Sequence, residues 1–125
     1  MDLERALESL KAAELCLEHE LTNSAASRAY YAMFQAAQVA MKAAGFGRAG
    51  WSHAGLQAAF VRELIHRRKV YPPALADYLS SGLAVRQMAD YGHSGVSRMM
   101  ARRLVRRAAT LVSAVREVTR HETTP

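Results

Sequence analysis

Apolar residues recur at steps of three and four in five separate stretches of this chain, and nowhere does a two-residue alternation run between hairpin turns. A period near 3.6 gathers such residues on one face of an α-helix, whereas a half-buried strand needs a period of two. The chain is therefore confined to helices that must bury their apolar stripes against one another. Leu3, Leu7, Leu10 and Leu17 mark the first helix, expected from Asp2 to about Glu20, with Asp2 and Glu4 favourable at the positive end of its dipole. Thr22-Asn23-Ser24 offers capping oxygens for an alanine-rich second helix over Ala25 to Ala44, which Gly45 can end in the left-handed conformation. After the glycine-rich link from Gly45 to Gly50, Ser52 can cap a third helix from His53 to about Lys69, with Leu56, Phe60 and Leu64 inward.

Pro72 and Pro73 suit a first helical turn, so a fourth helix is expected to run from there to about Tyr91, with Gly92 and Gly95 bracketing its end. Ser97 opens the fifth, in which Leu104, Ala108, Leu111, Val115 and Val118 repeat at three and four. The expected architecture is all-α, an antiparallel bundle of about five helices. At 125 residues, half of them apolar, one domain over residues 1–121 is the default, followed by a frayed tail at 122–125.

Several function classes drop out at this point. No run of about 18 uncharged apolar residues is present, and the chain starts with Asp2, Glu4 and Glu8 rather than a basic patch, so neither a membrane span nor a signal peptide is expected. Cys16 is the single cysteine, which excludes an intrachain disulfide and fits a cytoplasmic location. His19, His66 and His121 show no metal-ligand spacing, so no metal or cofactor is expected. The net charge of +6 resides in residues 98–120, where seven arginines face only Glu117. Of these, Arg102 and Arg106 lie toward the flank of the fifth helix, where they can contact nucleic-acid phosphates or form a solvated face balanced by the acidic first helix.

The fourth helix carries the most pointed pattern. Leu75, Leu79, Leu83, Arg86, Asp90 and His93 form one stripe in which a polar trio replaces the last turns of an apolar seam. On an unbroken helix, Arg86 and His93 would stand about 20° apart and roughly 10 Å along the axis. Charges facing a core or a partner need compensation. In one reading the trio serves one phosphate: His93 exchanges protons, Arg86 receives the gathering negative charge, and Asp90 orients Arg86. In the other, Arg86 and Asp90 are an i,i+4 pair that holds bundle or dimer register, and Gly92 ends the helix before an exposed His93. Arg28, Tyr30 and Tyr31 on the second helix line a cleft or pack the core, and His53 touches a ligand or bonds at its helix start.

Three stretches resemble the HEPN superfamily of small helical bundles, and specifically its stand-alone prokaryotic branch. They are Ala26-Ser27-Arg28-Ala29-Tyr30-Tyr31-Ala32-Met33-Phe34, Ser52-His53-Ala54-Gly55-Leu56, and Arg86 to Tyr91 with its Arg-x-x-Ala-Asp-Tyr pattern. The resemblance implies a homodimer whose two motifs face each other. It also implies a metal-independent endoribonuclease, of toxin or RNA-processing type, whose arginine and histidine, four to six residues apart, are matched here by Arg86 and His93. A nucleotidyltransferase-type antitoxin is the implied partner. In some such systems that partner modifies a tyrosine of this motif, here Tyr91. The resemblance also covers non-catalytic adaptors working with the same partner.

Overall fold

The computed structural model describes residues 3–122. Five α-helices follow in order: α1 (Leu3–Glu18), α2 (Thr22–Ala43), α3 (His53–Ala59), α4 (Tyr78–Tyr91) and α5 (Arg98–Glu122). A π-helical segment, Phe60–Arg67, continues α3, and a 3-10 segment, Pro73–Asp77, leads into α4. No strand occurs among the described residues. The architecture is the all-α bundle expected from the apolar periodicity.

Helix α2 lies at the centre, with α1, α5 and α4 all packed against it. Its sequence explains why. Ala25, Ala26, Ala29, Ala32, Ala36, Ala37 and Ala40 are buried on several sides of the helix, and side chains this small let neighbouring axes come close. Tyr30, Met33 and Met41 fill the space between them, each no more than 1% exposed. Helix α5 answers with Ala101, Leu104, Val105, Ala108, Leu111, Val112 and Val115, all buried at helical spacing. No helix among the described residues is long and apolar enough to cross a membrane.

The helix ends show which local signals act. Ser52 Oγ accepts from Gly55 N–H at 2.9 Å, and Ser97 Oγ accepts from Met100 N–H at 3.1 Å, as N-caps should. Gly45, at φ +92°, ends α2 in a Schellman arrangement: Phe46 N–H donates to Met41 C=O at 2.8 Å and Gly45 N–H to Lys42 C=O at 3.1 Å. The same arrangement ends α1 without glycine, since Leu21 N–H reaches Cys16 C=O at 2.8 Å with Glu20 at φ +61°.

Other boundaries depart from expectation. Helix α2 starts at Thr22, so the Thr22-Asn23-Ser24 oxygens do not cap it; Asn23 Oδ1 instead accepts from Val96 N–H at 2.8 Å, tying the start of α2 to the α4–α5 link. The third helix passes into π geometry at Phe60 and ends at Arg67, short of Lys69. Pro72 precedes and Pro73 opens a 3-10 segment rather than an α-helix, and α geometry begins only at Tyr78. The Asp2 start of the first helix and residues 123–125 of the expected tail lie outside the described residues.

Gly82 sets the α2–α4 spacing. A Cβ there would stand 2.5 Å from Met33 Cε and 3.3 Å from Tyr30 Cδ1, both in the core. Overpacking of this kind costs about 1–3 kcal/mol. Gly82→Val should accordingly lower the unfolding free energy by an amount in that range, read as a lower denaturant midpoint with little change in m-value.

Candidate functional site

The close approach at Gly82 carries the next turn of α4 onto the outer edge of α2. There Arg86 Nη2 donates to Tyr31 Oη at 3.0 Å, and Arg86 Nε donates to Asp90 Oδ2 at 3.0 Å. The arginine side chain is 16% exposed and that of Asp90 27%, so this i,i+4 pair is far better shielded than a surface pair. The guanidinium carbon also lies 5.1 Å from the Tyr31 ring centroid. Three groups thus hold the guanidinium plane in one orientation.

One edge of that plane stays open. Arg86 Nη1 has no partner among the described residues, yet no buried polar side-chain atom there lacks one, so Nη1 reaches solvent. The Tyr31 hydroxyl accepts from Arg86 and keeps its own proton to donate. Cation and phenol together present donors to an incoming anion, with Asp90 fixing the fork through Nε.

Behind Tyr31 lies a second pair. Tyr30 Oη and His53 Nδ1 are 2.7 Å apart, with ring centroids at 5.4 Å, and Phe34 covers the imidazole at 4.7 Å. The cap at Ser52 sets His53 on the first residue of α3. With the Tyr30 hydroxyl as donor, the neutral imidazole carries its proton on Nε2. Burial pushes the Tyr30 phenol up to about 12, against the opposing field of the Arg86 cation.

The structure brings together Arg86, Asp90 and Tyr31, and joins His53 to them through Tyr30. Arg28 is exposed and lines a shallow groove of about 490 Å³ with Ser24, Ser27, Ala89 and Asp90, beside the cluster rather than in contact with it. His93 is not where an unbroken helix would put it. Helix α4 stops at Tyr91, Gly92 takes an extended conformation (φ −78°, ψ 146°), and His93 sits in an exposed bend. The stripe through Leu75, Leu79, Leu83, Arg86 and Asp90 stands, and the 20° alignment of Arg86 with His93 does not.

Tyr91 ends α4 at 77% exposure, on a different side of the helix from Arg86, because five residues turn through about 140°. Arg102 and Arg106 are exposed on α5 and touch none of the cluster. On that helix it is Arg107 that reaches α4, with Nη1 3.1 Å from Ser81 Oγ and 4.0 Å from Asp77 Oδ2. The Tyr30–His53 pair was hidden in sequence because its members are 23 positions apart. The one available signal for the close helix approach was a glycine inside a helical pattern, Gly82. No three His, Cys, Asp or Glu side chains gather as metal ligands among the described residues.

Comparison with protein families finds that the model described as HEPN domain matches residues 2–118. Comparison with curated proteins gives no match.

The Tyr30 environment yields a direct test. Its folded value lies above the ordinary 10.0, so its contribution to stability is fully present below about pH 10 and is lost as pH rises toward about 12. In a tyrosinate absorbance titration, the Tyr30 phenol should ionise late. Tyr30→Phe should remove that late step, and Arg86→Met should move it to still higher pH. Five phenols titrating together in the wild type would contradict the buried placement.

Proposed function

The chain belongs to the HEPN domain family, and from that premise we propose that it is an RNA-binding HEPN subunit without catalysis, homodimeric and paired with a nucleotidyltransferase-type partner. The observation that carries this reading is the Arg86 guanidinium. It is held by Asp90 and Tyr31 at 3.0 Å each and leaves Nη1 open to solvent. A fork fixed in this way suits a phosphate oxygen better than a mobile surface arginine does, because its ordering cost is already met within the fold. Arg28, across the groove from Ala89 and Asp90, supplies a second cation along the same strand of RNA. The arginines of α5, Arg102 and Arg106 among them, add the long-range field that draws a polyanion in.

Dimerisation in this reading uses the apolar surface at the end of α4. Met88 and Tyr91, three residues apart, are 41% and 77% exposed, more than a lone helix end needs. Before that surface pairs, the exposed Tyr91 phenol is open to a modifying nucleotidyltransferase. Intact mass unchanged after incubation with that partner and ATP would count against modification.

A second reading is favoured by one specific observation: His93 lies exposed just past α4 and makes no hydrogen bond among the described residues. A second copy would then complete a metal-independent ribonuclease, with His93 exchanging protons while Arg86 stabilises the phosphorane.

One experiment separates the two. Fluorescence polarisation with a labelled single-stranded RNA should show binding that weakens steeply with salt. Arg86→Lys should lose about tenfold or more, the scale of one charge-assisted hydrogen bond at about 1.5–3 kcal/mol. The same RNA, incubated with EDTA and run on a gel, should remain intact. Cleavage that disappears in His93→Ala would replace the binding reading with the ribonuclease, and affinity indifferent to Arg86→Lys would remove Arg86 from the binding reading.

A further inference from the structure

Two surface features stand at opposite ends of the bundle, away from the Arg86 cluster. The first is a groove of about 610 Å³ where the π-helical segment gives way to the proline turn, lined by His66, Lys69 and the run Val70-Tyr71-Pro72-Pro73. Lys69, at φ +53°, turns the chain back, so that Val70 N–H and Tyr71 N–H both donate to Leu64 C=O, at 2.8 and 3.2 Å. Pro72 and Pro73 carry no N–H. Four consecutive residues thus offer the groove no backbone donor, and this wall suits an apolar side chain.

The charge beside it is positive. Residues 62–69 hold four cations, Arg62, Arg67, Arg68 and Lys69, against one carboxylate, Glu63. Glu63 is taken up by Arg62 at 3.1 Å and Arg67 at 3.3 Å, and Arg68 by Ala44 C=O at 3.1 Å. Lys69 stands at the groove with no carboxylate partner among the described residues.

The second feature is the turn between α1 and α2. Leu15 and Leu21 are 44% and 55% exposed there. The Schellman bond from Leu21 N–H to Cys16 C=O fixes Leu21 as a knob rather than a loose loop residue. Glu14 and Glu18 flank Leu15 on the helix, both exposed and both without an ion pair among the described residues. Glu20 is engaged by Arg98 at 3.2 Å, and Lys11 lies a turn before Glu14. The knob is therefore apolar and acidic where the groove is apolar and basic.

These complementary surfaces cannot meet within one molecule. The Glu20–Arg98 and Asn23–Val96 contacts fix the knob beside the first turns of α2 and α5. The Arg68–Ala44 bond, and a small cavity that Leu64 and Val70 share with Ala43 and Val118, fix the groove beside their last turns. At 1.5 Å per residue, about 30 Å lies between the two ends. Knob against knob would oppose carboxylates, and groove against groove would oppose two Lys69 side chains.

We propose that the α1–α2 turn of one copy docks into the groove after the π-helical segment of the next, linking copies of this chain head to tail. Leu15 and Leu21 cover the wall formed by Val70, Tyr71 and the prolines, and Glu14 and Glu18 reach Lys69. The contact is heterologous, so it repeats along an open chain or closes as a ring, according to the rotation between copies. It leaves Met88 and Tyr91 untouched and is separate from the dimer built on α4.

Sedimentation velocity on the full chain tests this, with Met88→Asp and Tyr91→Asp in every sample so that the α4 surface stays silent. Weight-average mass should rise with concentration between about 10 and 500 µM and pass that of a dimer, as suits a small contact. Leu21→Asp spoils the knob and Val70→Asp the groove. Each should leave monomers with thermal unfolding unchanged, since both positions are exposed. An equal mixture of the two should give a one-to-one pair and nothing larger, because one intact knob and one intact groove remain. Lys69→Glu should weaken assembly about tenfold or more, since it sets a carboxylate against two others. Chains with both ends intact that stay monomeric at about 500 µM overturn the proposal. Assembly that survives in either single-end variant overturns it too, as does a mixture of the two that stays monomeric.

Discussion

The spacing between α2 and its neighbours is the constraint on which the other features depend. Alanine on several sides of one long helix, with Gly82 opposite Tyr30 and Met33, brings three helices close to it at once. Contact at that distance leaves little slack, because interiors are packed near crystal density and every methyl group is felt. Arg86 can therefore meet Tyr31 across two helices with its side chain extended along the seam rather than out into water. Were α4 displaced outward by a larger residue at position 82, the guanidinium would keep Asp90, its own-helix partner, and lose the phenol.

The polar groups at that seam are layered by how much solvent each can reach. Tyr30 is 1% exposed and must stay protonated at ordinary pH, with its hydroxyl spent on His53. Tyr31 and Arg86 sit above it, partly shielded, and Asp90 closes the outer edge. Removing a charge from water costs several kcal/mol unless partners replace the lost hydration, and the arginine here keeps both a carboxylate and an open edge. The arrangement retains a cation at a largely apolar interface without sealing it in.

Much of the fold was legible in the residues. Five apolar stripes marked the five helices, and Gly45, Ser52 and Ser97 acted at the boundaries where their side-chain chemistry placed them. The π-helical segment was not legible: Leu56, Phe60 and Leu64 repeat every four residues, a spacing that suits α and slightly wider turns alike. Asn23 was chemically suited to cap α2 but found a better partner in Val96, 73 positions away. Of the candidate site, Arg86 and Asp90 were readable because both members lie on one helix. The contacts with Tyr31 and between Tyr30 and His53 were not, since they depend on how helices meet. For His93, the reading in which Gly92 ends the helix matches the structure, and the one that extends an ideal helix through Gly92 does not, because the backbone there turns to an extended conformation.

The Asn23–Val96 hydrogen bond has a consequence for the segment it anchors. Gly92 to Gly95 run between two fixed points, the last turn of α4 and the pinned Val96. Four extended residues span at most about 14 Å, so His93 works on a short leash. With both ends held, it cannot follow a ligand away from the bundle. Whatever engages that imidazole must come to it, so its selectivity is governed by approach geometry as much as by chemical affinity.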